Sequence, residues 1–169
     1  MKIDDKTMPR FKFFLLAALI LAAGLAGMSQ PRGQSKYLPV AKYDPKRNAA
    51  QDVDGAIHEA QRTHKRILLE VGGLWCGWCH TLDNFFDAHP DLVQLRDKNF
   101  VTVKINFSEE NENKEVLSRY GPIESYPHLL VLETDGKLLL SKDTGVFESG
   151  KSYNLEELTA FLKEWGPAG

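Results

Sequence analysis

Apolar and polar positions change period several times along this chain. Val53, Ala56, Ile57 and Ala60 recur at i, i+3, i+4 spacing. They predict a helix capped by Asp52 and ending near His64-Lys65. Ile67-Leu68-Leu69-Glu70-Val71 is then almost wholly apolar, the pattern of a strand buried on both faces, and Gly72-Gly73 breaks it. Helical spacing returns from Cys76 to Ala88, with Leu82, Phe85 and Phe86 on the inward face. It stops at His89, because a residue before proline disfavours helical geometry. Asp91 is placed to cap a short helix over Leu92 to Lys98, and Phe100 to Phe107 reads as a second strong strand. Ser108 to Asn113 is an acidic, solvated loop, and Lys114 to Tyr120 a short helix ended by Gly121-Pro122. Leu129 to Glu133 and Leu138 to Ser141 form a hairpin about Asp135-Gly136. Asn154-Leu155-Glu156-Glu157 resembles a capping box and opens a last helix to Trp165, with Leu158, Phe161, Leu162 and Trp165 inward. Helices alternating with strands, followed by a hairpin, predict an α/β fold: a central mixed sheet flanked by helices, its C-terminal strands antiparallel.

The front of the chain differs. Lys2, Lys6, Arg10 and Lys12 precede or flank an uncharged apolar run from Phe13 to Met28, with small residues at its end. That is the pattern of a secretory signal peptide, assigned to residues 1–26. At 16 residues the run is short of the roughly 18 a spanning helix needs, so an uncleaved anchor over 13–28 is the alternative. Either way the rest is expected to be exported, to the periplasm or beyond. Residues 27–48 hold Pro31, Pro39 and Pro45 and no clear period, and read as a linker or an N-terminal arm. Tyr37, Leu38, Val40 and Tyr43 are candidates to pack on the body as a short edge strand. Residues 49–169 make one domain.

Charge narrows the partners. Residues 1–26 take four of the 21 bases and two of the 23 acids, leaving 17 against 21 and a net charge of −4. Such a balance gives no reason to expect nucleic acid as a partner.

Chemistry concentrates in Trp75-Cys76-Gly77-Trp78-Cys79-His80, which holds the chain's only two cysteines. A bridge closing so small a loop constrains the unfolded chain little, so the pair is a reversible dithiol/disulfide couple rather than a staple. Cys76, at a helix N-terminus, is where unpaired N–H groups and the helix dipole favour a thiolate, and is the expected nucleophile. It would attack a substrate disulfide, and Cys79, less exposed, would resolve the mixed disulfide. Cys76, Cys79 and His80 also spell a c-type haem attachment signal. The distal ligand would then have to be a histidine, since Met1, Met8 and Met28 all lie in or beside the front segment. Zinc is the other competitor, but no second close ligand pair follows the cysteines, and no metal site is assigned.

The order of elements, with Trp75-Cys76-Gly77-Trp78-Cys79 between first strong strand and helix, resembles the thioredoxin family from about Asp52 to Trp165, and especially exported bacterial thioredoxin-like proteins of Cys-Gly-Trp-Cys type. Glu70 stands six residues before Cys76, where that family has a buried acid, and Tyr126-Pro127 stands where it has a cis-proline facing the thiols. The resemblance implies a thioredoxin-like fold and thiol–disulfide oxidoreductase activity on protein cysteines, as reductase, oxidase or isomerase, with the dithiol as redox centre and no bound cofactor. Buried, Glu70 would exchange a proton with Cys79; the alternative is that it reaches solvent at the sheet's end. Lys104 is at the family's place for a buried lysine that could partner it. Tyr126 and Pro127 would offer backbone groups to a substrate strand, and Trp75, Gly77, Trp78 and Tyr126 would rim the thiols. His80 either adds positive potential when protonated or is a half-exposed helix residue. A reductant in an oxidising compartment would also need a membrane redox partner. A non-catalytic interaction module on the same scaffold is a further alternative.

Overall fold

The computed structural model describes residues 37–167. The signal or anchor assigned to 1–26 or 13–28, and the start of the 27–48 arm, lie outside the described residues. Among the described residues no helix is long and apolar enough to cross a membrane.

Helix α1 (Ala49–Thr63) leads into β1 (Arg66–Gly72), α2 (Gly77–Ala88), α3 (Pro90–Asn99) and β2 (Phe100–Asn106). The short α4 (Lys114–Leu117) continues as a 3-10 turn, and β3 (His128–Leu132), β4 (Leu138–Asp143), the two-residue strands β5 (Glu148–Ser149) and β6 (Ser152–Tyr153), and α5 (Leu155–Glu164) follow. The four long strands form one sheet in the order β2-β1-β3-β4. β1 runs parallel to β2 and antiparallel to β3, and β3–β4 is an antiparallel hairpin. Gly136, at φ 85°, makes its turn.

Side chains alternate along a strand, so each face of the sheet builds its own core. Ile67, Leu69 and Val71 of β1 join Val101, Val103 and Ile105 of β2 and the inner stripe of α1 on one face. Leu68 joins Leu82, Phe85 and Phe86 of α2 and Leu158, Phe161 and Leu162 of α5 on the other. Glu70 and Lys104 have the parity of this second face, and the register sets them side by side. Two charged groups thus enter the core beneath α2.

The predicted elements are all present, with local corrections. α1 is capped by Asn48, whose side chain accepts from Gln51 N–H, and not by Asp52. Asp52 sits in the first turn and pairs with Arg47 at 2.5 Å. α3 starts at Pro90, which fits the first turn because its missing N–H has no partner to lose there; Asp91 is inside the helix. β5–β6 was not anticipated, since two-residue strands carry no period. Arm residue Leu38 is exposed, but Val40 is buried and bridges Val103 in parallel, its carbonyl accepting from Lys104 N–H at 2.9 Å. The arm therefore lies on the β2 edge.

Candidate active site

The motif sits where β1 ends and α2 begins. Cys76 is the N-cap residue of α2: its Sγ accepts the Cys79 N–H at 3.1 Å and is bonded to Cys79 Sγ, the Cα atoms 5.2 Å apart. A sulfur in this position receives a donor the helix leaves unpaired, and the first turn of α2 contains no acidic residue to oppose negative charge there. Both cysteines are buried, Cys79 completely and Cys76 to 3% exposure. They pack with Tyr43, Trp78 and Tyr126 in a small cluster of their own. Gly77, at the start of the helix, has open space around it. His80 is exposed, with Nε2 2.9 Å from the Leu74 carbonyl oxygen.

Behind the disulfide, Glu70 is 2% exposed and does not reach solvent. Its Oε1 accepts from Lys104 Nζ at 2.6 Å and from Tyr43 Oη at 2.6 Å. Lys104 Nζ also donates to Asp83 of α2 at 2.5 Å and lies 4.5 Å above the centre of the Tyr43 ring. Asp83 is the wet end of this chain of charges, its side chain 38% exposed. Burial, followed by the neighbouring Glu70 carboxylate, pushes the Tyr43 hydroxyl well above the usual phenol range, so it holds its proton as a donor. Between network and sulfur lies Gly72. A Cβ there would overlap Cys79 Sγ and come within 2.9 Å of Tyr43 Oη. Only glycine lets the tyrosine and the disulfide close over the strand's end.

Opposite the helix, the Tyr126–Pro127 peptide bond is cis. The Pro127 carbonyl accepts from the fully buried Thr144 hydroxyl at 2.7 Å. Tyr126 is half-buried, stacked on Phe107 and edge-on to Trp75. Of the aromatic residues expected around the thiols, Trp75 is 58% exposed, its Nε1 donating to the Phe107 carbonyl at 2.7 Å. Trp78 turns inward and meets Tyr153 edge-to-face. An open groove of about 550 Å³ runs beside the motif, lined by Leu74, Trp75, Asn106, Phe107, Glu109 and Glu110.

Cys76, Cys79, Glu70, Trp75, Gly77, Trp78, Tyr126 and Pro127 therefore gather at one end of the sheet, with Lys104 beneath them. Sequence reasoning missed Tyr43 as part of this site, and Asp83. In the sequence Tyr43 reads only as an arm residue able to pack, and no local signal shows where an arm will lie. Asp83 has the ordinary look of a helix-surface acid.

Comparison with known proteins agrees with this geometry. No curated protein sequence matches the chain. Among solved structures, a disulphide isomerase from Xylella fastidiosa Temecula1 superposes with a TM-score of 0.61 at 28% identity, over 75% of this chain and 97% of that one. The oxidised C-terminal domain of Neisseria meningitidis DsbD superposes with a TM-score of 0.52 at 16% identity, over 73% and 97%; at that identity it shares the fold alone. The thioredoxin-like family profile matches residues 48–134, from the cap of α1 to just past β3. With more than half its length matched by that profile, this chain belongs to the thioredoxin-like family.

Proposed function

We propose that the protein is exported and exchanges disulfides with the cysteines of other proteins through a mixed disulfide on Cys76, with the Cys76–Cys79 pair as its redox centre and no bound cofactor. The coarser statement, that it is a thiol–disulfide oxidoreductase, rests on its family, on the 28% identity to a disulphide isomerase and on the bonded pair. The observation that carries the finer reading is the placing of the pair. Cys76 Sγ accepts a helix N-terminal N–H, whereas Cys79 is fully buried and packs in one cluster with Tyr43, whose hydroxyl donates to Glu70. Reduced, Cys76 would be the stabilised thiolate and Cys79 the protonated thiol.

In the reducing direction, Cys76 thiolate attacks a substrate disulfide and releases one substrate thiolate. Cys79 gives up its proton, with Glu70 the nearby carboxylate to receive it, and attacks Cys76. The Cys76–Cys79 bond forms and the second substrate sulfur leaves with the electron pair. Run backwards, the same steps deliver a disulfide. Trp75 and Tyr126, with the Tyr126–Pro127 backbone, form the surface against which the substrate segment lies. Export is supported by the basic and apolar pattern of residues 1–28. Working as a reductant there, the protein would draw electrons from a membrane redox partner.

The test uses two variants with a reduced, cysteine-containing protein substrate and its oxidised form. Cys76→Ser is expected to abolish turnover, while Cys79→Ser accumulates a covalent adduct that a reducing agent releases. Full turnover by Cys76→Ser would remove Cys76 as the nucleophile, and a wild-type chain without turnover whose Cys76→Ser variant keeps its partners would instead be a binding module. The equilibrium of the pair against glutathione couples then sets the direction. A potential near about −270 mV makes it a reductase and one near about −120 mV an oxidant.

A further inference from the structure

We propose that the Tyr43 hydroxyl carries the proton between Cys79 and Glu70. This rests on the reading of Cys79 as the resolving thiol and adds to it a residue from outside the part of the chain matched by the family, which begins at residue 48.

Three independent features place the hydroxyl between sulfur and carboxylate. Tyr43 Oη donates to Glu70 Oε1 at 2.6 Å. Tyr43 packs in one cluster with Cys76 and Cys79. At Gly72, a Cβ would overlap both Cys79 Sγ and, at 2.9 Å, Tyr43 Oη, so these two atoms border the same small space. The arm delivers the ring: the Val40 carbonyl is tied to Lys104 N–H on the β2 edge, and three residues later Tyr43 turns in over the Lys104 ammonium. The charged and titratable groups facing it are Glu70 on β1, Lys104 on β2, Asp83 on α2, Tyr153 on β6 and Tyr126 before β3.

The direction of the hydrogen bond suits the resolving step. Cys79 S–H passes its proton to Tyr43 Oη while the Tyr43 O–H proton moves to Glu70 Oε1, along a bond already made. Tyr43 ends neutral, as it began, and Glu70 ends protonated. The Cys79 sulfur, now a thiolate, attacks Cys76 Sγ; that S–S bond forms, the bond from Cys76 to substrate breaks, and the substrate sulfur leaves with the electron pair. To reset, the Lys104 ammonium gives a proton to Asp83 and takes the Glu70 proton in its place, so Lys104 ends charged and Glu70 ionised, and half-exposed Asp83 hands its proton to water. Tyr43 stays neutral throughout because burial beside Glu70 makes a free phenolate unfavourable.

The experiment follows reduced protein reacting with glutathione disulfide. The first step forms the Cys76–glutathione mixed disulfide, and the second, resolution by Cys79, is read separately by quenching and mass. Tyr43→Phe keeps the ring over Lys104 and removes only the hydroxyl. It is expected to slow the second step about 100-fold at mildly acidic pH. The deficit narrows as pH rises, because hydroxide then takes the Cys79 proton directly, and the first step stays unchanged. Glu70→Gln is expected to show the same pH-dependent loss, and the double variant no more than either alone. An unchanged second-step profile in Tyr43→Phe overturns the proposal, and so does a loss of equal size in both steps at every pH, which is the mark of disturbed packing. A deficit in Glu70→Gln without one in Tyr43→Phe also overturns it, since the proton would then pass directly. If the wild-type protein forms no mixed disulfide at all, the proposed function fails instead.

Discussion

The charged pair beneath the disulfide shows how much a single side chain can set. Glu70 and Lys104 are both almost fully buried, and each satisfies the other while borrowing one outside partner, Tyr43 for the acid and Asp83 for the base. A buried ion pair of this kind contributes little net stability, because desolvation offsets most of its attraction, yet removing one partner strands the other. Lys104→Met should therefore lower unfolding free energy by about 3 kcal/mol in urea titration. Glu70→Gln with Lys104→Met together should recover part of that loss, as two neutral groups replace a lone charge.

Among the elements, α2 carries the chemistry and α5 supports it from beside. α2 owes its position to Leu82, Phe85 and Phe86, which pack against Leu68 of β1 and against α5, so the N-terminus of α2 is held at the end of β1. α5 starts at Asn154, whose Oδ1 accepts from Glu156 N–H at 2.9 Å and Glu157 N–H at 3.3 Å. The sequence pattern already pointed to that cap, and Asn154→Ala should cost about 1 kcal/mol in denaturant unfolding with the disulfide intact. By the same measure the cap of α1 was misassigned, because Asn48, Asp52 and their spacing offer two plausible oxygens. Only the path of the chain out of the arm decides between them. Strands β1, β2 and β3 were legible from apolar runs alone. The pairing of β3 beside β1 rather than β2 was not, since pairing depends on crossovers that leave no mark on local period.

For the whole molecule, acid stability has an identifiable contributor. His128 begins β3 one residue after Pro127, 7% exposed, with Nε2 2.8 Å from Ser141 Oγ. Burial lowers its pKa below the ordinary histidine value of 6.5, and Asp143 offsets this only in part. The unfolded chain therefore binds a proton first as pH falls. The contribution of His128 is present above the unfolded value and is lost as pH drops through the window below about 6.5 toward the lower folded value. Wild-type protein should lose stability between neutral and mildly acidic pH, and His128→Gln should flatten that part of the slope. Urea midpoints at the two pH values check it; parallel slopes in both proteins would remove His128 from the account.

Periods, breakers and one spaced pair of thiols were enough, by themselves, to determine a helix-flanked mixed sheet with Cys76 and Cys79 at a strand-to-helix junction. Those features are local: a run of apolar residues or a Gly-Gly break acts on its own neighbours wherever the chain goes. The family resemblance already set Glu70, Lys104, Tyr126 and Pro127 near the sulfurs, but tertiary structure alone decided which of these groups touch and brought in Tyr43 and Asp83. Glu70 and Lys104 are 34 positions apart and Tyr43 and Glu70 are 27 apart, and each pair meets because the sheet register and the docking of the arm on the β2 edge bring them together. Hydrogen bonds of that kind depend on distances in space that no spacing along the chain encodes, which is why the thiols could be read from the sequence and the tyrosine behind them could not.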